Sequence, residues 1–376
     1  MVKTPHWAHV IHEFLRPGHS RLSRVNIPPL DGPLRPNSAL EELSPLAGGE
    51  MAEPTDVLPQ ADGSVLVSSG CRVLRLGAGG DAGVSVVAEL GGPVTTLAGE
   101  PSGALLAGVG GVGVVRIEPS DRAEPVVIQA GGRPLACPTA VAVHPASGVI
   151  YVTDGSRTST PERWVWDLME GNASGRLVAV DPKTGAATVL LEGLAWPAGV
   201  AVSPDGRHLV FSTAWDHSVR RYDLDGTGTV AVLQQGLPGY PGTLTPTPGD
   251  GYWLSVFALR TQLVELLLME DEYRTEMMRT IDPDYWIRPA LRSLDSPREP
   301  LQGGAIRKLG VKKPWAPPRS YGMVLRLDGD GEIVASLQSP ADGTRHGIAS
   351  ARQRGGTVFI AAQGADAILI HQEAAA

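Results

Sequence analysis

The sequence repeats itself, and the repeat limits what it can fold into. An alternating apolar strand, a tight glycine turn, a second apolar strand and a third rich in Arg-Leu or Arg-Ile recur along the chain. The unit is seen as EPTDVLPQADGSVLVSSGCRVLRL (53–76) and PVTTLAGEPSGALLAGVGGVGVVRIEP (93–119). It returns as CPTAVAVHPASGVIYVTDGS (137–156) with GRLVAVDPKTGAATVLLEG (175–193), and then as WPAGVAVSPDGRHLVFSTA followed by SVRRYDLDG. The fifth copy starts at YPGTLTPTPGDGYWLSVFA (240–258) and resumes at YGMVLRLDGDGEIVASLQSP (321–340); the sixth is RHGIASARQRGGTVFIAAQGADAILIHQ (345–372).

Strand starts fall near 55, 95, 138, 198, 242 and 346. Four-stranded units at about 40–45 residues are the blades of a β-propeller. The expected fold is therefore all-β, a six-bladed β-propeller with helical insertions on one face. Two wide intervals hold those insertions, at about 157–174 and 259–318. The second carries an apolar pattern at helical spacing over 263–294, including Leu263, Leu266, Leu267, Met277 and Met278. It is either a lid over the channel or an oligomer contact. The sixth copy lacks an outer strand, which NSALEELSPLAG (37–48) is expected to supply. Residues 1–34 then form an N-terminal tail, and 35–376 a single domain.

Composition agrees. Glycine (46) and proline (32) are abundant while Phe, Tyr and Trp are few, which favours short strands and turns. A net charge of −8 with scattered basic residues argues against nucleic-acid binding. No window approaches 18 apolar residues, and the first twenty residues lack an apolar core of signal-peptide length, so no membrane partner and a cytoplasmic location are expected. Cys71 and Cys137 are read as two thiols. His6, His9, His12 and His19 lack partner carboxylates or cysteines at ligand spacing and are not read as a metal site.

The stretch GRLVAVDPKTGAATVLLEGLAWPAGVAVSPDGRHLVFSTA resembles the strictosidine-synthase-like proteins, as do VWDLMEGNASGRL, LPGYPG and YGMVLRLDGDGEIVASL. These sit in a wider family of six-bladed propellers with the gluconolactonases and senescence-marker-type lactonases. The resemblance spans roughly residues 50–372. It implies a small-molecule site at the channel top, where inner-strand starts converge.

In the lactonases of that family, oxygen ligands at those starts hold one divalent cation, typically calcium, which polarises a lactone carbonyl. Carried over position by position, the ligand places fall on Thr55, Pro138, Ala198 and Gly242, and three of these have no side-chain oxygen. A shift of one residue would bring in Glu53, Thr139 or Thr243, without rebuilding a site of two carboxylates. The glutamate that plant strictosidine synthases use as acid/base falls on Ala349. The resemblance therefore implies no cofactor and no metal.

The remaining candidates for chemistry are Asp216 and His217, an imidazole beside a carboxylate, with Asp154, and His346 at the blade-six start. Each has a plainer reading: Asp216-His217 as a polar turn, Asp154 as a turn cap, Arg345-His346 as partners of Asp342. Trp196, Trp215, Tyr240, Trp253, Trp166 and Arg345 are the candidate substrate-binding residues, with Trp164 beside Trp166 on the first insertion. An aromatic wall suits a small apolar or aromatic molecule. Three functions fit: a metal-independent condensing or cyclising enzyme of secondary metabolism, a calcium-dependent lactonase or esterase, and a non-catalytic propeller binding a ligand or protein.

Overall fold

The period in the sequence is one blade. The computed structural model describes residues 27–46, 51–77, 83–120, 122–292, 307–308, 311–312 and 319–373. Within them lie six four-stranded antiparallel sheets. Blade four shows the plan, with strands Pro197–Val202, His208–Thr213, Ser218–Asp223 and Val230–Gln234 in sequential order. Its innermost strand is buried at every residue and its outermost at none. That gradient is why the inner strand of this blade reads as an unbroken apolar run and its outer strand does not. The first hairpin turns at Ser203-Pro204-Asp205-Gly206, where Gly206 takes φ +70° and Asp205 accepts from the Ser203 hydroxyl at 2.6 Å.

The other innermost strands are Pro54–Pro59, Val94–Gly99, Pro138–Val143, Gly239–Pro246 and Ile348–Arg354. The N-terminal segment closes the ring: Ser44–Leu46 pairs with Ala367–Gln372, Ser44 opposite Ile370, as the missing outer strand of blade six. Every innermost strand carries a register shift near its start, at Thr55, Thr95, Thr139, Ala198, Ala349 and the Gly242-Thr243 pair. A bulge at the same place in each blade re-aims one residue, and here that residue faces the channel mouth.

Both insertions follow the second strand of their blade and rise on that same face. The first forms helix α1 (Trp164–Glu170), stopped by Gly171 at φ +70°. The single helical pattern expected over 263–294 is two helices, α2 (Gln262–Met269) and α3 (Asp271–Thr280), separated at Glu270 (φ −94°, ψ 78°). Leu168 and Met169 of α1, Leu267 of α2 and Met277 of α3 join Trp215 and Tyr240 of the blades in one buried cluster. The two insertions thus form one cap over blades three to five; Leu266 is on its exposed side. The histidines of the first twenty residues and the proline-rich stretch 313–318 lie outside the described residues. Among the described residues no helix is long and apolar enough to cross a membrane.

Candidate functional site

The six bulges meet in a chamber of about 450 Å³ beneath the cap. Trp164 of α1, Trp196, Phe257 and Leu291 wall it, and Ala198, Gly242 and Ala349 leave its centre open. Four threonines complete the ring, and their hydroxyls tie blade to blade. Thr55 donates to the Val94 carbonyl at 2.6 Å, Thr95 to Pro138 at 2.5 Å, Thr139 to Pro197 at 2.6 Å and Thr243 to Ala349 at 2.9 Å. At the fourth joint Ala198 has no hydroxyl, and Ser212 from the neighbouring strand donates to Gly242 instead, at 2.6 Å.

This donor set does not suit a hard divalent cation, which wants anionic oxygens. No bulge residue is a carboxylate, and the hydroxyls already bridge the blades. A β-carbon on Gly242 would lie 2.6 Å from the Ser255 hydroxyl, which occupies that space to donate to Ala349. Among the described residues no group of three or more His, Cys, Asp or Glu is arranged to hold an ion. The shifted register also gives a correction: Thr139, not Pro138, is the blade-three counterpart of Thr55 and Ala198, because Pro138 stands before the bulge.

The aromatic wall has a second layer. Trp215 does not line the chamber, yet its ring touches all three aromatic residues that do: Trp196 at 5.1 Å, Trp164 at 6.3 Å and Phe257 at 6.3 Å between centroids. Its indole N–H donates to Asp167 of α1 at 2.8 Å. Asp167 is buried and also accepts from Ser156 and Asn172; burial raises its carboxyl above the usual range against the pull of those bonds. One buried carboxylate therefore locks the cap helix to blade four. Trp196 itself has φ +55°, a left-handed conformation unusual for a bulky residue, and its carbonyl accepts from Ala214.

None of the four residues expected to do acid/base chemistry lines the chamber. Asp216 and His217 diverge, because His217 takes φ +53° and turns beneath the cap. Asp216 pairs with Arg220 and Thr213. His217 Nε2 lies 3.7 Å from Glu265 of α2, which also accepts from the Tyr240 hydroxyl at 3.1 Å and pairs with Arg260. Burial pushes the imidazole down, against the pull of Glu265. Burial works to raise Glu265, but His217 and Arg260 outweigh it and leave it below the ordinary range. His217 thus joins the blade-four turn to α2 of the cap.

Asp154 is sealed between blades, accepting from the Cys137 amide at 2.9 Å and from Arg176 at 2.8 Å. His346 spends Nδ1 on Ser320 and Nε2 on the Pro340 carbonyl. Of the expected binding residues, Trp196 is in the chamber wall, while Trp215 and Tyr240 stand behind it. Trp166 points to Trp286, ring to ring at 5.2 Å, and Arg345 does not line the chamber. Trp253 is at the opposite end of the propeller, bonded to Gln353, because its strand starts there at Tyr252. Both cysteines are free, Cys71 exposed and Cys137 buried.

The strictosidine synthase family model matches residues 139–227, which hold Thr139, Asp167, Trp196, Ala198 and Trp215. Strictosidine synthase-like 6 of Arabidopsis thaliana is 40% identical over 129 residues, covering 34% of each chain. The chain thus spans about a third of the length of that relative. The adipocyte plasma membrane-associated protein of Bos taurus is 25% identical over 356 residues, covering 89% of this chain and 79% of its own. A gluconolactonase from Xanthomonas campestris superposes with a TM-score of 0.56 at 15% identity, covering 87% and 86%.

The chain is thus similar to strictosidine-synthase-like proteins over part of its length, and it shares the fold of the gluconolactonase.

Four of the residues at the site were missed by the sequence reading. Phe257, Leu291, Asp167 and Glu265 carry no local signal. The threonine ring does: Thr follows Pro or Val at three successive strand starts, in EPTDV, PVTTL and CPTAV.

Proposed function

We propose that the chamber under the cap binds a small apolar or aromatic molecule without a metal ion, and promotes a condensation or cyclisation of it. The observation that carries this reading is the chamber wall: Trp164, Trp196 and Phe257 around a centre kept open by Ala198, Gly242 and Ala349. Such a wall holds flat apolar ligands and lowers the cost of bringing two reactants together by fixing their orientation. Aromatic faces also favour a cationic intermediate. The carboxylates among the lining residues are Glu53 and Glu162. Glu53 is turned to Arg292 at 3.2 Å, so Glu162, exposed beside α1, is the candidate to take a proton.

A second reading is a binding propeller without turnover. That Asp154, Asp216, His217 and His346 do not line the chamber favours it, since among the described residues no group deep in the site is suited to move a proton.

The two part in one experiment. Chelator-treated protein is mixed with an arylethylamine and an aliphatic aldehyde, and loss of free amine is followed. The first reading expects a rate above the uncatalysed one, indifferent to chelator and cut by about tenfold or more in Glu162→Gln. Binding without turnover leaves the second reading. A rate that requires added calcium contradicts both.

A further inference from the structure

The channel has a second chamber. It lies at the other end of the innermost strands, on the face opposite the cap, and has a volume of about 480 Å³. Among the described residues only Thr243 lines both chambers. The upper is walled by aromatic rings; among the described residues the lower has no aromatic side chain, and Ala98, Ala140, Val141, Val200, Val202 and Leu244 form its sides. It is of a size that holds a small molecule, and its walls suit an aliphatic one.

Among the described residues one charged side chain lines this lower chamber, Arg352. It is fixed rather than free to swing. Nε donates to Asp56 Oδ1 at 3.1 Å, and Nη2 donates to Asp56 Oδ2 and the Leu97 carbonyl, both at 2.6 Å. Asp56 is fully buried and accepts the Val57 and Leu97 amides as well, both at 2.8 Å, so both its oxygens are engaged. Nη1 is left with no hydrogen bond among the described residues.

A second polar group is left over nearby. Thr247 also lines the chamber, is only 6% exposed, and its hydroxyl has no partner among the described residues. The buried Thr247 hydroxyl is costly to leave unpaired, and a ligand that satisfies it gains what it loses. A guanidinium nitrogen donates and cannot accept, so the group it meets must be an oxygen acceptor.

We propose that this lower chamber is a second small-molecule site, taking an aliphatic molecule that ends in a carbonyl or carboxylate oxygen, with Arg352 Nη1 as donor. The site is independent of the reading given to the aromatic chamber. Its position at the far mouth lets the two be filled separately.

The test uses octanoate and octan-2-one as probes, with binding read by saturation-transfer NMR on the full chain. Ala142 lines the chamber and is only part-buried, so Ala142→Phe fills the space with little disturbance of the core. The proposal expects wild type to bind at least one probe, Ala142→Phe to weaken it by about tenfold or more, and Ala349→Phe in the upper chamber to leave it unchanged. Arg352→Lys, which keeps the charge and loses the fork, is expected to weaken it as well. Preference for octanoate means that Arg352 reads charge, and preference for the ketone that it reads a lone pair; both support the site. The proposal is overturned if neither probe binds wild type, if Ala142→Phe binds equally well, or if Ala349→Phe is the variant that loses binding.

Discussion

Arg176→Met is expected to destabilise the protein by about 3–5 kcal/mol while leaving the chamber's ligand affinity unchanged. Arg176 and Asp154 are 3% and 1% exposed, and the guanidinium also donates to the Ala130 and Pro134 carbonyls at 2.6 Å each. Removing it strands a buried carboxylate and two buried carbonyls at the junction of blades two and three. Burial already raises the Asp154 carboxyl, with Arg176 pulling it back. Without that partner the group is expected to take up a proton on folding. Urea denaturation monitored by circular dichroism reads the loss. A variant as stable as wild type would mean that the pair does not hold the blades together.

Trp215→Ala is expected to cost about 3–5 kcal/mol as well, and unlike Arg176→Met to weaken ligand binding by about tenfold or more. The reason is position. The ring sits at the centre of the aromatic cluster, 6.0 Å from Tyr240 as well as against the three wall residues, and holds α1 through Asp167. Trp215→Phe keeps most of the packing and loses the N–H, which leaves Asp167 short of one donor; it is expected to fall between wild type and alanine. Paired denaturation and binding titrations separate the two effects. Affinity in Trp215→Ala equal to wild type would show that the chamber wall stands without its second layer.

The strands were legible because their pattern is local; the ring closure, which pairs Ser44–Leu46 with Ala367–Gln372, was legible only as an outer strand missing from the sixth copy. Most innermost strands are rich in apolar residues and end near a glycine or proline turn, Ile348–Arg354 with its two arginines excepted, and the gap in blade six pointed to an unpaired segment near residue 44. The position of the chamber was legible as well, since Ala198, Gly242 and Ala349 all line it. What was not legible depends on distant partners. Asp154 looked like a turn cap, and its partner Arg176 stands across a strand pairing on the far side of the α1 insertion. His217 looked like a base beside Asp216, yet its left-handed backbone turns it to Glu265 on α2. The Pro138 register failed for a different reason: a bulge adds one residue to the strand, and a pattern of alternation has no mark for it. The break between α2 and α3 falls at Glu270, a good helix former, with no glycine or proline to announce it.

The central claim is that an aromatic, metal-free chamber at the channel mouth binds a small molecule. Its most direct measurement is calorimetric titration of indole into chelator-treated wild type and Ala349→Phe, with thermal melting of both. The phenyl ring is placed to fill the chamber's open centre. The account predicts binding by wild type without calcium, a loss of about tenfold or more in the variant, and similar melting temperatures for the two. Equal affinity in both proteins, or binding by wild type only after calcium is added, would contradict it.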